Sequence, residues 1–153
     1  MNKSEIVASI LDRLREELEN RSRVSKITRE GRNDAESKAE GKYDTLAIEE
    51  NYLADGLAKQ ALAAAEAMAE IEKMPLRAFV GDDPIELGAL VELEFPGARE
   101  WYFLAPSGGG TEVQHEGTPV TVITPESPLG LKLIGSRLGD QTTAPAAKII
   151  WVV

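Results

Sequence analysis

The stretch Val122-Ile123-Thr124-Pro125-Glu126-Ser127-Pro128-Leu129-Gly130-Leu131-Lys132-Leu133-Ile134-Gly135-Ser136-Arg137-Leu138-Gly139-Asp140 packs a strand end, a turn, a short helix and a stop into one run. Val122 and Ile123 close an apolar strand. Ser127 is the residue type that accepts a hydrogen bond at a helix N-cap. Pro128 suits the first helical position, because its missing N–H would have no partner there. Leu129, Leu133 and Ile134 supply an apolar side to bury. Gly135, free to take a left-handed conformation, then ends the helix.

Working outward, candidate strands lie at 89–95, with Val91, Leu93 and Phe95 on one face, and at 101–104, 120–124 and 148–153. Pro96-Gly97, Ser107-Gly108-Gly109-Gly110 and Gly117-Thr118-Pro119 separate them. The expectation for residues 76–153 is a small antiparallel sheet covered by one short helix.

The composition changes before that region. All 8 prolines and both tryptophans fall at or after Pro75, and the only aromatics before it are Tyr43 and Tyr52. Ile6, Ile10, Leu14 and Leu18, with Val7 and Leu11 beside them, recur at helical spacing, and Ser4 is placed to cap their helix. A second stripe runs through Leu46, Leu53, Leu57, Gln60, Ala64, Ala67, Ile71 and Met74, alternating threes and fours as a coiled-coil seam does. A helix over 45–73 is ~43 Å long at 1.5 Å per residue, too long to lie on so small a domain. An antiparallel hairpin solves this. Residues 1–75 are then a coiled-coil hairpin with its tip near 30–50, and the fold class is α+β.

Charge and residue usage exclude several functions. The 153 residues carry a net charge of -9, one histidine and no cysteine, so disulfide frameworks, thiolate metal sites and cysteine nucleophiles are ruled out. An acidic chain repels a nucleic-acid backbone, which argues against independent DNA binding and favours a partner with a basic surface. The opening residues do not read as a secretory signal and no run is long enough for a membrane helix, so the expected setting is cytoplasmic, with no membrane partner.

Four constellations bear on chemistry. Gly108-Gly109-Gly110 lacks the Lys-Ser/Thr and the following helix of a phosphate loop and reads as a plain hairpin loop. His115, between Gln114 and Glu116, reads as an exposed bystander. Trp101 and Phe103 alternate with Tyr102 and read as a core face rather than a ligand pocket. The fourth is the acidic tip. Seven carboxylates, Glu30, Asp34, Glu36, Glu40, Asp44, Glu49 and Glu50, fall between 30 and 50. Asp44 or Thr45 can cap the second helix and Glu49 and Glu50 complement its dipole, which is the plain structural explanation. Alternatively, carboxylates on a thin rod reach something deep and narrow and complete a Mg²⁺ site that a partner already holds.

The opening stretch, with Ser127-Pro128-Leu129-Gly130, then Leu133-Ile134-Gly135, then Gly139-Asp140, resembles the C-terminal signature of the Gre family of bacterial transcription elongation factors. A helical hairpin ahead of a small sheet domain matches the same family's layout. The resemblance implies an N-terminal coiled coil that enters the secondary channel of RNA polymerase and an FKBP-like C-terminal domain that docks on the channel rim. It further implies that tip carboxylates help hold the polymerase's second catalytic Mg²⁺ while the polymerase cleaves the 3' end of a backtracked transcript. On this chain the implied roles fall to Asp44, Glu49 and Glu50 as residues assisting the polymerase, with Asp44 and Glu49 at the shared metal. Lys42 and Tyr43 are expected to contact the polymerase or the transcript end, and Ser127, Pro128, Leu129 and Gly130 to contribute to docking. The chain itself would then be no enzyme and would carry no cofactor of its own, and it would meet the transcript only inside the polymerase complex.

Cleaving members of the family show the pattern G-D-L-x-E-N-A-E-Y at the start of the second helix. With Tyr52 on that tyrosine, Thr45 and Ile48 take the places of the two acids, and Asp44 and Glu49 are each displaced by one residue in opposite directions. One helical residue is ~100° of rotation. Two readings of the tip therefore stand side by side: stimulation of cleavage, or occupation of the channel that inhibits or competes with cleavage factors. From other classes, an FKBP-like domain implies a peptidyl-prolyl isomerase, and a helical hairpin alone implies a coiled-coil adaptor.

Overall fold

The computed structural model of the chain describes residues 1–35 and 44–153, with side chains described at 1–24, 52, 53 and 55–153. In order the elements are α1 (Lys3–Ala35), α2 (Asp44–Lys73), β1 (Leu90–Phe95), β2 (Ala98–Leu104), β3 (Glu112–His115), β4 (Thr118–Ile123), α3 (Gly130–Leu133), β5 (Gln141–Thr143) and β6 (Ala146–Val152). The arrangement is α+β. Among the described residues no helix is long and apolar enough to cross a membrane.

Helix α1 is capped by Asn2, not by Ser4. Its first backbone bond runs from the Ile6 N–H to the Asn2 carbonyl at 3.1 Å, which makes Asn2 the cap position. Asn2 Oδ1 accepts the Ser4 N–H at 3.1 Å, and its Nδ2 donates to Glu5 Oε1 at 2.8 Å. One otherwise unpaired backbone donor at the helix start, the Ser4 N–H, is thereby satisfied. At the other end α1 continues to Ala35, beyond the point near residue 30 where the tip was expected to begin. The residues between are mostly tolerable helix formers, and Gly31 alone costs only ~1 kcal/mol.

Two compact units divide the chain. One takes Met1–Leu14 with Ala67–Val153, the other Arg15–Glu66. In the first, Ile6, Val7, Ile10 and Leu14 from the start of α1 share a core with Ile71 and Met74 from the end of α2. In the second, Leu18, Glu19, Ser22 and Arg23 of α1 line one cavity with Ala61 of α2. The less exposed stripe of α2 passes through Leu57, Ala61, Ala64, Met68 and Ile71, while Leu53 and Gln60, expected on the seam, are exposed.

The six strands form one sheet in the order β3-β4-β2-β1-β6-β5. Four neighbouring pairs are antiparallel, but β2 and β4 are parallel, with Trp101 opposite Val120 and Phe103 opposite Val122. The sheet is therefore mixed, where a wholly antiparallel one was expected. The cause is the chain's return after β2: β3 forms the outer edge and β4 doubles back into the space between β3 and β2. The Gly108-Gly109-Gly110 run thus joins two strands that do not pair, and it is not a hairpin loop. Gly108 takes φ +77, a left-handed conformation that favours glycine, and a Cβ there would meet Ile71 and Leu14 at ordinary contact distance.

Both sheet faces are covered. Leu90, Phe103, Val113, Val120 and Val122 pack under the helix ends on one side. Val91, Leu93, Leu104 and Ile149 pack with Phe79, Ile85 and Leu133 on the other. Trp101 leans on the first core and Tyr102 on the second, as alternation predicts. Full burial of Ile6, Ile10 and Ile71 contributes about 1.5–3 kcal/mol each, which ties the helix ends to the sheet.

Candidate partner-docking site

The corner between β4 and β5 is built by a few short hydrogen bonds. Ser127 Oγ donates to the Thr124 carbonyl at 2.7 Å and accepts the Gly130 N–H at 3.0 Å, so the hydroxyl ties the turn to the start of α3. The regular helix is only Gly130–Leu133, shorter than a start at Pro128 implied, and its cap position is Leu129, which makes no side-chain capping bond, not the expected Ser127. Gly130 is buried against the turn: a Cβ there would collide with the Thr124 carbonyl oxygen. Gly135 takes φ +79 and donates its N–H to the Ile85 carbonyl at 2.9 Å, while the Ile85 N–H returns to Ser136 at 2.8 Å. Gly139, at φ +93, donates to Ile149, and Asp140 Oδ2 accepts the Arg137 N–H at 2.8 Å. Ser127, Gly130, Gly135, Gly139 and Asp140 thus each have a geometric task.

What this frame presents outward is apolar. Leu133 is fully buried, but Leu131 is 70% exposed, Leu138 51% and Ile134 41%. Ile134 was expected to be buried. Only Leu131 lies on α3; Ile134 caps it in a non-helical conformation and Leu138 follows Gly135, so no helical spacing links the three. Of the residues expected to dock, Pro128 is exposed, Ser127 and Leu129 are half-buried, and Gly130 is internal. Around the patch, Arg137 reaches Asp82 at 3.5 Å.

Beside this corner, residues 77–88 form a charged strap. Arg77 bonds Asp83 at 3.0 Å and Glu86 at 3.1 Å, and its guanidinium lies 4.0 Å from the Phe79 ring centre. Lys3 approaches the same ring at 4.9 Å and donates to the carbonyls of Arg77 and Gly88. Burial, and secondly the nearby Arg77, lower the Lys3 pKa. The backbone N–H of Val80, followed by Arg77, holds the Asp83 carboxyl below its usual range.

His115 is not the exposed loop residue expected. It ends β3 at 6% exposure, and its Nε2 accepts the Asn2 backbone N–H at 3.3 Å. Its Nδ1 lies 3.8 Å from the Glu5 carboxylate. Its role is to anchor the start of α1 to the sheet.

At the tip, Asp44 is the first residue of α2, and Glu49 and Glu50 follow five and six helical positions later, ~140° and ~240° round the axis. Their side chains, and Lys42 and Tyr43 altogether, lie outside the described residues. Among the described residues no group of three His, Asp or Glu is placed to hold a metal ion.

No family model matches the chain, and no curated protein matches it. Solved structures do. The chain is similar to the crystal structure of GreA factor homolog 1 (Gfh1) of Thermus thermophilus, at 20% identity, 97% of this chain, 93% of that one and a TM-score of 0.35. A structure of the transcription factor Gfh1 matches at 24% identity over 97% and 91%, and Thermus aquaticus Gfh1 at 19% over 92% of each, both with TM-scores of 0.35. At these scores the likenesses carry none of the functional reading, which rests on the residues of this chain.

Proposed function

We propose that this chain is a regulator of transcription elongation that binds RNA polymerase, its helical hairpin entering the secondary channel and its sheet domain docking on the rim. The observation that carries the reading is the 127–140 corner. A stretch that resembles the Gre signature folds into a hydrogen-bonded frame that leaves Pro128, Leu131, Ile134 and Leu138 exposed on an acidic chain. Apolar surface framed by charge is the usual composition of a protein-binding patch. In this reading Asp44, with Glu49 or Glu50, approaches the active-site Mg²⁺ of the polymerase, since carboxylates are the donors this ion takes. Lys42 and Tyr43, which precede Asp44 in sequence, would contact the polymerase or the transcript end.

Association with bacterial core RNA polymerase, measured by co-purification, tests the first half of the proposal, and absence of binding would sink it. Transcript shortening by stalled, backtracked complexes tests the second. The displacement of Asp44 and Glu49 from the pattern of cleaving factors favours a channel occupant that inhibits or competes. That version expects no shortening, together with suppression of shortening when a cleaving factor is also present.

A further inference from the structure

We propose that Glu92, with Trp101 and Trp151 on either side of it, forms a binding site for an arginine side chain of a partner protein. The site is independent of the transcription reading. On β1, Glu92 stands opposite Trp101 of β2 and also opposite Trp151 of β6, so the three side chains form one row across three strands on one face of the sheet. Directly opposed residues have Cβ atoms ~5 Å apart, which sets an indole on each side of the carboxylate.

The row exists because of a bulge. Ile149 faces the core that contains Leu93, and by plain alternation Trp151 would share that face. The register shifts between Glu92 and Leu93, where Leu93 pairs with Ile149 and Glu92 with Trp151, leaving Ile150 as the extra residue. The bulge turns Trp151 to the side of Glu92, where it is 54% exposed. Trp101 is held by packing against the helix-covered core.

The next row shows what a carboxylate in this place takes. Glu94 has Arg99 and Lys148 as its register neighbours, and it binds the Arg99 guanidinium at 2.8 and 3.1 Å. In the Glu92 row both cations are replaced by indoles, and Glu92 has no hydrogen bond or ion pair among the described residues. A guanidinium from outside would supply the missing charge and lie against the indole faces, combining a charge-assisted bond with cation–π contact. Arginine fits better than lysine because its flat cation can stack while bonding the carboxylate. The unpaired carboxylate and the net charge of -9 oppose a phosphodiester in the same place.

The chain's two tryptophans are Trp101 and Trp151, so all of its indole emission comes from this row. Titrating the whole protein with a capped triarginine peptide at low salt should give a saturable change in that emission. Glu92→Gln should weaken binding about tenfold or more, as expected for loss of a charged hydrogen bond. Trp151→Leu, which keeps Trp101 as reporter, should weaken it as well. Glu112→Gln removes a carboxylate from the opposite face, because its neighbour Val113 points to the helix-covered core, and should leave affinity within about twofold. An oligothymidylate should leave the emission unchanged. Absence of a saturable change with the peptide, equal affinity in Glu92→Gln and wild type, or saturable binding of oligothymidylate in place of the peptide would each overturn the assignment.

Discussion

Gly130 gives its backbone N–H to Ser127 Oγ at 3.0 Å, at a point where its own missing Cβ leaves room for the Thr124 carbonyl. The turn and the short helix interlock through those two residues. Gly130→Ala should destabilise the protein by about 2 kcal/mol or more, because the carbonyl it meets is backbone and has little room to yield. Ser127→Ala, which removes the hydroxyl from both its bonds, should cost about 1–2 kcal/mol. Urea unfolding of the two variants checks the order, and equal stability of Gly130→Ala and wild type would contradict the packing.

Ile10 and Leu62 lie on different long helices and should respond oppositely to truncation. Ile10 is fully buried with Phe103 and Leu90, so Ile10→Ala should cost about 3 kcal/mol from lost burial and the cavity left behind. Leu62 is 60% exposed, and Leu62→Ala should change stability by less than about 0.5 kcal/mol. Thermal unfolding of both variants measures the contrast.

A third prediction concerns acid. The Asp83 carboxyl is held below its usual range by the Val80 N–H and then by Arg77, so its folded pKa is depressed. A depressed acid pKa contributes stability above the unfolded value of ~4, and that contribution is lost as pH falls through the folded value. Asp83→Asn keeps an acceptor for Val80 and removes only the charge. It should therefore melt lower than wild type at neutral pH, with the gap closing once the pH drops below the folded pKa. A gap that persists in strong acid would show that the charge is not the cause.

How far these features could be read from the sequence depended on whether local pattern or pairing decided them. The Ile6-Ile10-Leu14 stripe and the run around Val91 and Leu93 are local, and the structure places both as expected. Residues 112–115 carry the same alternation in a form hard to see, because the second inward position is His115 and the outward ones are Glu112 and Gln114. The three residues of β5 are too few to show a period. The parallel pairing of β2 with β4 and the bulge that redirects Trp151 depend on which strands become neighbours, and no spacing within one strand encodes that. For Asp44, Glu49 and Glu50 the sequence supplied the acids and the helix that carries them, while their side chains lie outside the described residues.

Docking and tip chemistry should separate by mutation if the transcription reading holds. Leu131 is exposed and buries little within the chain, so Leu131→Asp should leave the melting temperature nearly unchanged. On a binding patch the same change puts a charge into an apolar contact, and association with RNA polymerase should weaken at least about tenfold. Asp44→Ala acts elsewhere. It is the first residue of α2 and belongs to a different compact unit from Leu131, so in this reading its loss should leave binding close to wild type. Any effect on transcript shortening in backtracked complexes should then appear with Asp44→Ala at saturating protein, where weak binding cannot account for it. With Leu131→Asp, activity should return as concentration is raised, because only affinity was lost. If Leu131→Asp binds the polymerase as wild type does, the 127–140 corner is not the docking surface, whatever the tip does.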